Sequence, residues 1–232
     1  MKKIRATGLG LAIALLTTHA SLQAQTVNLN DEESTISYAV GVNVGDTLTM
    51  QGLLNEVDLD VFIAGLRDAA TGNTQLDDEQ IMNSLMTLQQ RLIERERAAA
   101  EAVRAESQAF LAENGQRSGV VTTDSGLQYE VLESGDGSGV SPRPTDAVLA
   151  HYEGRLISGE VFDSSIARGE PTEFYLNQVI PGWTEGLQLM KPGDKWRLFI
   201  PSTLAYGANS PGSIPPHSAL IFDVELLQVN GQ

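Results

Sequence analysis

The sequence predicts an α+β protein in two parts: an all-helical front half with a long connecting helix, and a back half in which an antiparallel sheet wraps around one short helix. Three observations predict it. Between Asn30 and Gln116 apolar residues recur at three- and four-residue steps, the period of a helix with one covered face. From Ser118 onward the period changes to two, the habit of strands with one buried and one wetter face. Only one clear helical pattern, Pro181 to Leu189, interrupts that second half, and one helix cannot supply the crossovers of a parallel sheet.

Taken in order, Met1 to Arg5 carries Lys2, Lys3 and Arg5, an apolar run follows from Ala6 to Leu16, and small and polar residues fill Thr17 to Ala24. Charged start, greasy centre and small-residue exit are the order of a secretory signal peptide. The run is about 11 residues, short of the roughly 20 that a membrane-spanning helix needs. Residues 1–24 therefore read as a leader, cut after Ala24 or Ala20, leaving no stable membrane anchor; the bland alternative is an anchor. The absence of cysteine removes a lipid-modified terminus. A periplasmic protein, or one secreted or associated with an outer membrane, is expected.

Asp31-Glu32-Glu33-Ser34 supplies capping chemistry for a first helix on which Ile36, Ala39, Val40, Val44 and Leu48 share a face. Gly41 and Gly45 lie four apart on that helix, and since each costs about 1 kcal/mol relative to Ala, they point to a close helix approach. A second helix fits Asp58 to Ala70, ended by Gly72-Asn73. A third begins at Asp77-Asp78-Glu79, where acidic groups meet the positive end of the helix dipole. Its Ile81, Leu85, Leu88 and Leu92 form a narrow apolar stripe suited to another helix. Beyond Arg91 it turns to Glu, Arg and Ala without a breaker until Gly115. Helical from Asp77 to Glu113, it would extend about 56 Å at 1.5 Å per residue, as a solvated stalk; the alternative is a disordered charged linker. Residues 25–76 are thus expected to form a helical dimerisation domain and 77–115 a connecting helix whose first part joins the dimer core. So little chain cannot hold a core alone, and a second copy solves that.

In residues 118–232, Leu127, Tyr129 and Val131 alternate with Gln128 and Glu130, and Val148, Ala150 and Tyr152 with His151 and Glu153. Trp196, Leu198 and Ile200 alternate with Lys195 and Arg197, and Leu220, Phe222, Val224 and Leu226 with Asp223 and Glu225. Turn signals separate these strands, among them Pro192-Gly193-Asp194 and the cluster Gly135-Asp136-Gly137-Ser138-Gly139, which reads as a hairpin loop.

The 232 residues hold 15 Lys+Arg against 30 Asp+Glu and no Cys, a net charge of −15 that argues against nucleic acid or anionic lipid as partner. Thiol chemistry and cysteine metal sites are excluded. His151 and His217 stand apart, outside any ligand-spaced pair, so no metal and no cofactor is expected. No P-loop, dinucleotide fingerprint or nucleophile elbow occurs. Nothing in the chain activates a nucleophile.

What the second half does carry is apolar residues beside turns: His151-Tyr152-Glu153-Gly154, Val161-Phe162-Asp163-Ser164-Ser165, Val179-Ile180-Pro181-Gly182-Trp183, Leu204-Ala205-Tyr206-Gly207 and Leu220-Ile221-Phe222-Asp223-Val224-Glu225. In spacing and order these resemble the FKBP (FK506-binding-protein) class of peptidyl-prolyl isomerases, over roughly Gly126 to Val229. The helical front half, with Ser37-Tyr38-Ala39-Val40-Gly41, resembles the dimeric bacterial envelope members, the macrophage-infectivity-potentiator-like and 22-kDa-type FKBPs.

The resemblance implies an apolar proline pocket between the short helix and the sheet, with Trp183 as floor and Tyr152, Phe162, Val179, Ile180 and Phe222 as walls. Arg168, Phe174 and Ile214 join them as substrate-binding residues. Asp163 and Tyr206 would be polar groups at the rim, and the Ile180 N–H a donor to the substrate carbonyl. The bland reading of Trp183, Phe162 and Phe222 is core packing; Asp163 favours the pocket, because a carboxylate directly after a buried Phe is costly without a partner. Thr172, Ser213 and Ser210 depart from residues common in small FKBPs, which bears on the binding of FK506-like macrolides. The implied partners are proline-containing unfolded or partly folded polypeptides and a second copy of the chain. A second reading makes chaperoning in a cleft of the dimer the main role, with catalysis secondary.

Overall fold

The computed structural model describes residues 27–230, so the leader expected at 1–24 lies outside the described residues. The chain divides after Asp77 into two compact units.

The first unit is helical. Helix α1 (Glu32–Met50) starts where the Asp31 carboxylate accepts the Ser34 N–H at 2.8 Å, the cap the sequence announced. A 3-10 turn (Leu53–Asn55) leads to α2 (Leu59–Thr71), capped by Asp58 and closed by Gly72 at φ 73°. No residue of either helix is buried. A Cβ added at Gly41 or Gly45 would meet nothing within 4 Å, so the close approach these glycines predict is not made inside one chain.

The second unit opens with α3 (Asp78–Asn114), 37 residues with Asp78 and Glu79 in its first turn. Seven strands follow: β1 (Val120–Thr122), β2 (Gln128–Glu133), β3 (Ala147–Leu156), β4 (Val161–Ser164), β5 (Thr172–Tyr175), β6 (Lys195–Ile200) and β7 (Leu220–Asn230). Helices α4 (Ser165–Arg168) and α5 (Pro181–Leu189) interrupt them. The sheet order is β1-β2-β6-β7-β3-β4, with β5 also paired to β3, and every pair is antiparallel.

This order corrects the hairpin expected at Gly135 to Gly139. Strand β2 lies between β1 and β6 while β3 lies beside β7, so the connection between them crosses over other strands instead of turning back. It is held by the turn before β6: the Gly135 N–H donates to Asp194 at 2.8 Å, and a Cβ on Gly135 would sit 2.7 Å from the Pro192 carbonyl oxygen.

Helix α5 covers one face of the sheet at very short range. A Cβ on Gly182 would collide with Ile200, and one on Gly186 would lie 2.9 Å from Leu198. Because Leu198 and Ile200 face α5, Phe199 between them faces the other way. There the last turns of α3 meet it, with Phe110 at a ring-centroid distance of 6.0 Å. Asn114 donates to Gln128 Oε1 and Gln128 donates to the Leu111 carbonyl, both at 2.8 Å, and Ser107 and Asn114 are buried. A helix expected to be solvated to its end is therefore docked over its final turns. Opposite α5, Asp223 accepts from both Arg197 and Arg155 across three neighbouring strands.

Candidate active site

Strand β3 brings Tyr152 to the α5 side of the sheet, and β7 places Phe222 two strand positions along on the same side. Strand β4 adds Phe162 and Asp163, β5 adds Phe174, and the turn before α5 adds Gln178, Val179 and Ile180. Together with Trp183 of α5 and Tyr206, Pro211 and Ile214 of the long loop before β7, they enclose a cavity of about 610 Å³. A second hollow of about 600 Å³, lined by Asn177, Val179, Pro181, Thr184, Gln188 and Leu189, gathers no aromatic ring.

The cavity's base is a cluster of edge-to-face rings. Trp183 meets Tyr152 at 5.2 Å, Phe174 at 5.1 Å and Phe222 at 5.2 Å, and Phe222 meets Phe162 at 5.5 Å. Rings crossed in this way set positive edges on negative faces and hold one another in place. Gly154 makes the arrangement possible, because a Cβ there would lie 2.5 Å from Phe222 and 2.7 Å from Phe162.

At the rim, the Tyr152 hydroxyl donates to Asp163 at 2.6 Å and accepts from Arg168 at 2.8 Å, while Arg168 also donates to Asp163. The Arg168 guanidinium lies 5.5 Å from the Tyr152 ring centroid. Partial burial works to raise the Asp163 carboxyl, but the hydrogen bonds from Tyr152 and Arg168 and the Arg168 charge outweigh it, and its pKa falls below the ordinary value. Burial, and then the bond to Asp163, push the Tyr152 phenol up. Ser165, fully buried, fixes the triangle from behind: its hydroxyl accepts the Tyr152 N–H at 2.8 Å and donates to the Tyr152 carbonyl at 3.2 Å, so α4 is stapled to β3.

Of the residues singled out from the sequence, Tyr152, Phe162, Asp163, Phe174, Val179, Ile180, Trp183, Tyr206, Ile214 and Phe222 all line the cavity, and Arg168 stands behind Asp163. Helix α5 begins at Pro181, and among the described residues the Ile180 N–H just before it bonds no protein acceptor. Gln178 and Pro211 line the cavity without having been singled out. Pro211, followed by Gly212, carries a turn signal within the long loop before β7; Gln178 carries none. Of the departures from small FKBPs, Thr172 lies 3.4 Å from Arg168, and Ser210 donates to the Ile214 carbonyl at 2.7 Å, closing the loop on itself.

An antiparallel sheet with one short helix across it, and between them an aromatic hollow rimmed by a tied carboxylate, defines a class of α+β protein with an apolar binding cavity. The comparisons make the class specific. Residues 139–227 match the FKBP-type peptidyl-prolyl cis-trans isomerase family, and residues 33–131 match the domain amino-terminal to such isomerases. The FKBP-type 22 kDa peptidyl-prolyl cis-trans isomerase of Escherichia coli is 44% identical over 202 residues, covering 85% of this chain and 95% of its own. The outer membrane protein MIP of Legionella longbeachae is 37% identical over 235 residues, covering 99% of this chain and 97% of its own. The crystal structure of FkpA from Escherichia coli superposes with a TM-score of 0.73 at 37% identity, covering 87% of this chain and 98% of that one. The chain belongs to the FKBP-type peptidyl-prolyl cis-trans isomerases.

Proposed function

We propose that catalysis takes place in the aromatic cavity and works by removing water from a twisted X–Pro amide. Rotation about that bond crosses a barrier of about 18–20 kcal/mol, most of it lost amide resonance. Twisting separates the carbonyl from the nitrogen lone pair and lowers the dipole, so a dry hollow favours the twisted state over the planar one, and each 1.36 kcal/mol of preference gives a factor of ten. Trp183 is the surface on which proline turns, while Tyr152, Phe162, Phe174, Val179, Ile214 and Phe222 exclude water. The Ile180 N–H and the Tyr206 hydroxyl hold the flanking peptide, and Asp163, fixed by Tyr152 and Arg168, presents a stationary charge at the rim. The observation that carries this reading is the crossed-ring base capped by the Tyr152–Asp163–Arg168 triangle. In a protease-coupled assay on a proline tetrapeptide, Trp183→Ala combined with Asp163→Ala is expected to abolish acceleration; full activity in that variant overturns the assignment.

The same reading extends to assembly and place. No described residue before Ser107 is buried, yet Ile36, Val40, Val44, Val61, Ile63 and Leu85 are all large, apolar and exposed. Apolar side chains in such density are covered in the working protein, and a second copy meeting through α1, α2 and the start of α3 covers them. The leader-like first 24 residues and the likeness to an outer membrane protein support an envelope isomerase acting on exported polypeptides.

A further inference from the structure

We propose that the end of α3 positions the outer wall of the proline cavity, with Ser107 and Arg104 as positioning residues for isomerisation; this rests on the reading of that cavity as the catalytic site. The wall is the segment from Ala205 to Ala219, which supplies Tyr206, Pro211 and Ile214 to the cavity and contains no strand. Its hydrogen bonds mostly fold it on itself: the His217 N–H donates to the Gly207 carbonyl at 2.7 Å, Ser210 to Ile214 at 2.7 Å, and Ser218 to Pro215 at 2.8 Å. Apart from its hinge to Ser202, the bonds that leave it among the described residues go to α3. The Ala219 N–H donates to the Ser107 hydroxyl at 2.9 Å, and the Arg104 guanidinium lies 2.9 Å from His217 Nε2.

Both ends of this contact depart from their local rule. The helical hydroxyls of Ser37, Thr47, Ser84 and Thr87 turn back to the carbonyl four residues earlier. Ser107 makes no such bond and, 4% exposed, faces the loop instead. His217, at φ 63°, is the one described residue other than glycine in the left-handed region, a conformation that persists where neighbours over-determine it. Its amide is held by Gly207, next to Tyr206, and its ring by Arg104. A short path of contacts therefore runs from α3 through His217 to Gly207, whose neighbour Tyr206 lines the cavity.

The test compares the full-length protein with Ser107→Ala, Arg104→Ala and the double variant, with Trp183→Ala as reference. The double variant is expected to keep its circular dichroism and to lose about five- to tenfold in kcat/KM, through KM more than kcat, as hydrogen bonds that position a binding wall are removed. Amide exchange at Ala219 and His217 should quicken, and Ser107→Thr, which keeps the hydroxyl, should restore KM. Unchanged KM and kcat in the double variant, beside an inactive Trp183→Ala, overturn the positioning role alone. Full activity in Trp183→Ala overturns the site assignment and this inference with it.

Discussion

Asp163 keeps its charge through the bonds that hold it still. Replacing it by Asn keeps the shape and removes a charge-assisted bond of roughly 1.5–3 kcal/mol, so Asp163→Asn is expected to lower kcat/KM about ten- to a hundredfold with the fold intact. The pH dependence has a definite sign. A carboxyl whose folded pKa is depressed contributes stability that is fully present above its unfolded pKa and is lost as pH falls through the lower folded value. Asp163 and Asp223 both shift in that direction; for Asp223 burial opposes the shift, and Arg197 and Arg155 outweigh it. The urea midpoint should therefore stay level from neutral pH to about pH 5 and fall as pH drops through the usual carboxylate range toward the lower folded values, while kcat/KM, which follows the charge of folded Asp163, should hold until lower pH. A midpoint already falling near pH 6 would contradict this. That Asp163 needed partners was legible, since a carboxylate beside Phe162 demands them; Ser165 was not, because a serine in a run of small polar residues carries no sign of complete burial.

Among elements, legibility followed length. The strands at 128–133, 147–156, 195–200 and 220–230 run long enough for alternation to show, whereas β1, β4 and β5 span three or four residues, too few to display a period. Pairing was less legible than existence. Alternation reports which face of a strand is covered, not which strand lies beside it, and so the crossing between β2 and β3 looked like a hairpin. Helix α5 was visible from its opening Pro181, but its nearness to the sheet depends on Gly182 and Gly186, whose role appears only once Ile200 and Leu198 stand opposite them. Gly182→Ala is expected to cost about 1–3 kcal/mol by overpacking, measurable as a lower urea midpoint. The docking of α3 was hidden because Ser107 and Asn114 are polar and Phe110 sits in a stretch of mainly Ala, Glu and Arg, with too few large apolar residues to mark a covered face.

At the scale of the whole molecule, loss of the leader's three basic residues would leave 12 basic against 30 acidic, a net −18 shared by both halves. In the proposed dimer, subunits so charged repel weakly at low salt, so apolar contact has to supply their association. Leu85→Asp is expected to leave a monomer by light scattering while the tetrapeptide activity of the second unit persists; a dimer of unchanged mass would count against the proposed interface. The absence of buried side chains among the described residues before Ser107 also reverses an ordinary sequence of events in the proposed dimer. A chain emerges amino-terminus first, and early domains usually fold as they appear. In the proposed assembly the helical part, with no described residue buried before Ser107, waits for another molecule, while the sheet made last has a core of its own and can fold at once. The yield of complete protein should thus rise with the number of chains present, a concentration dependence written into the first helices.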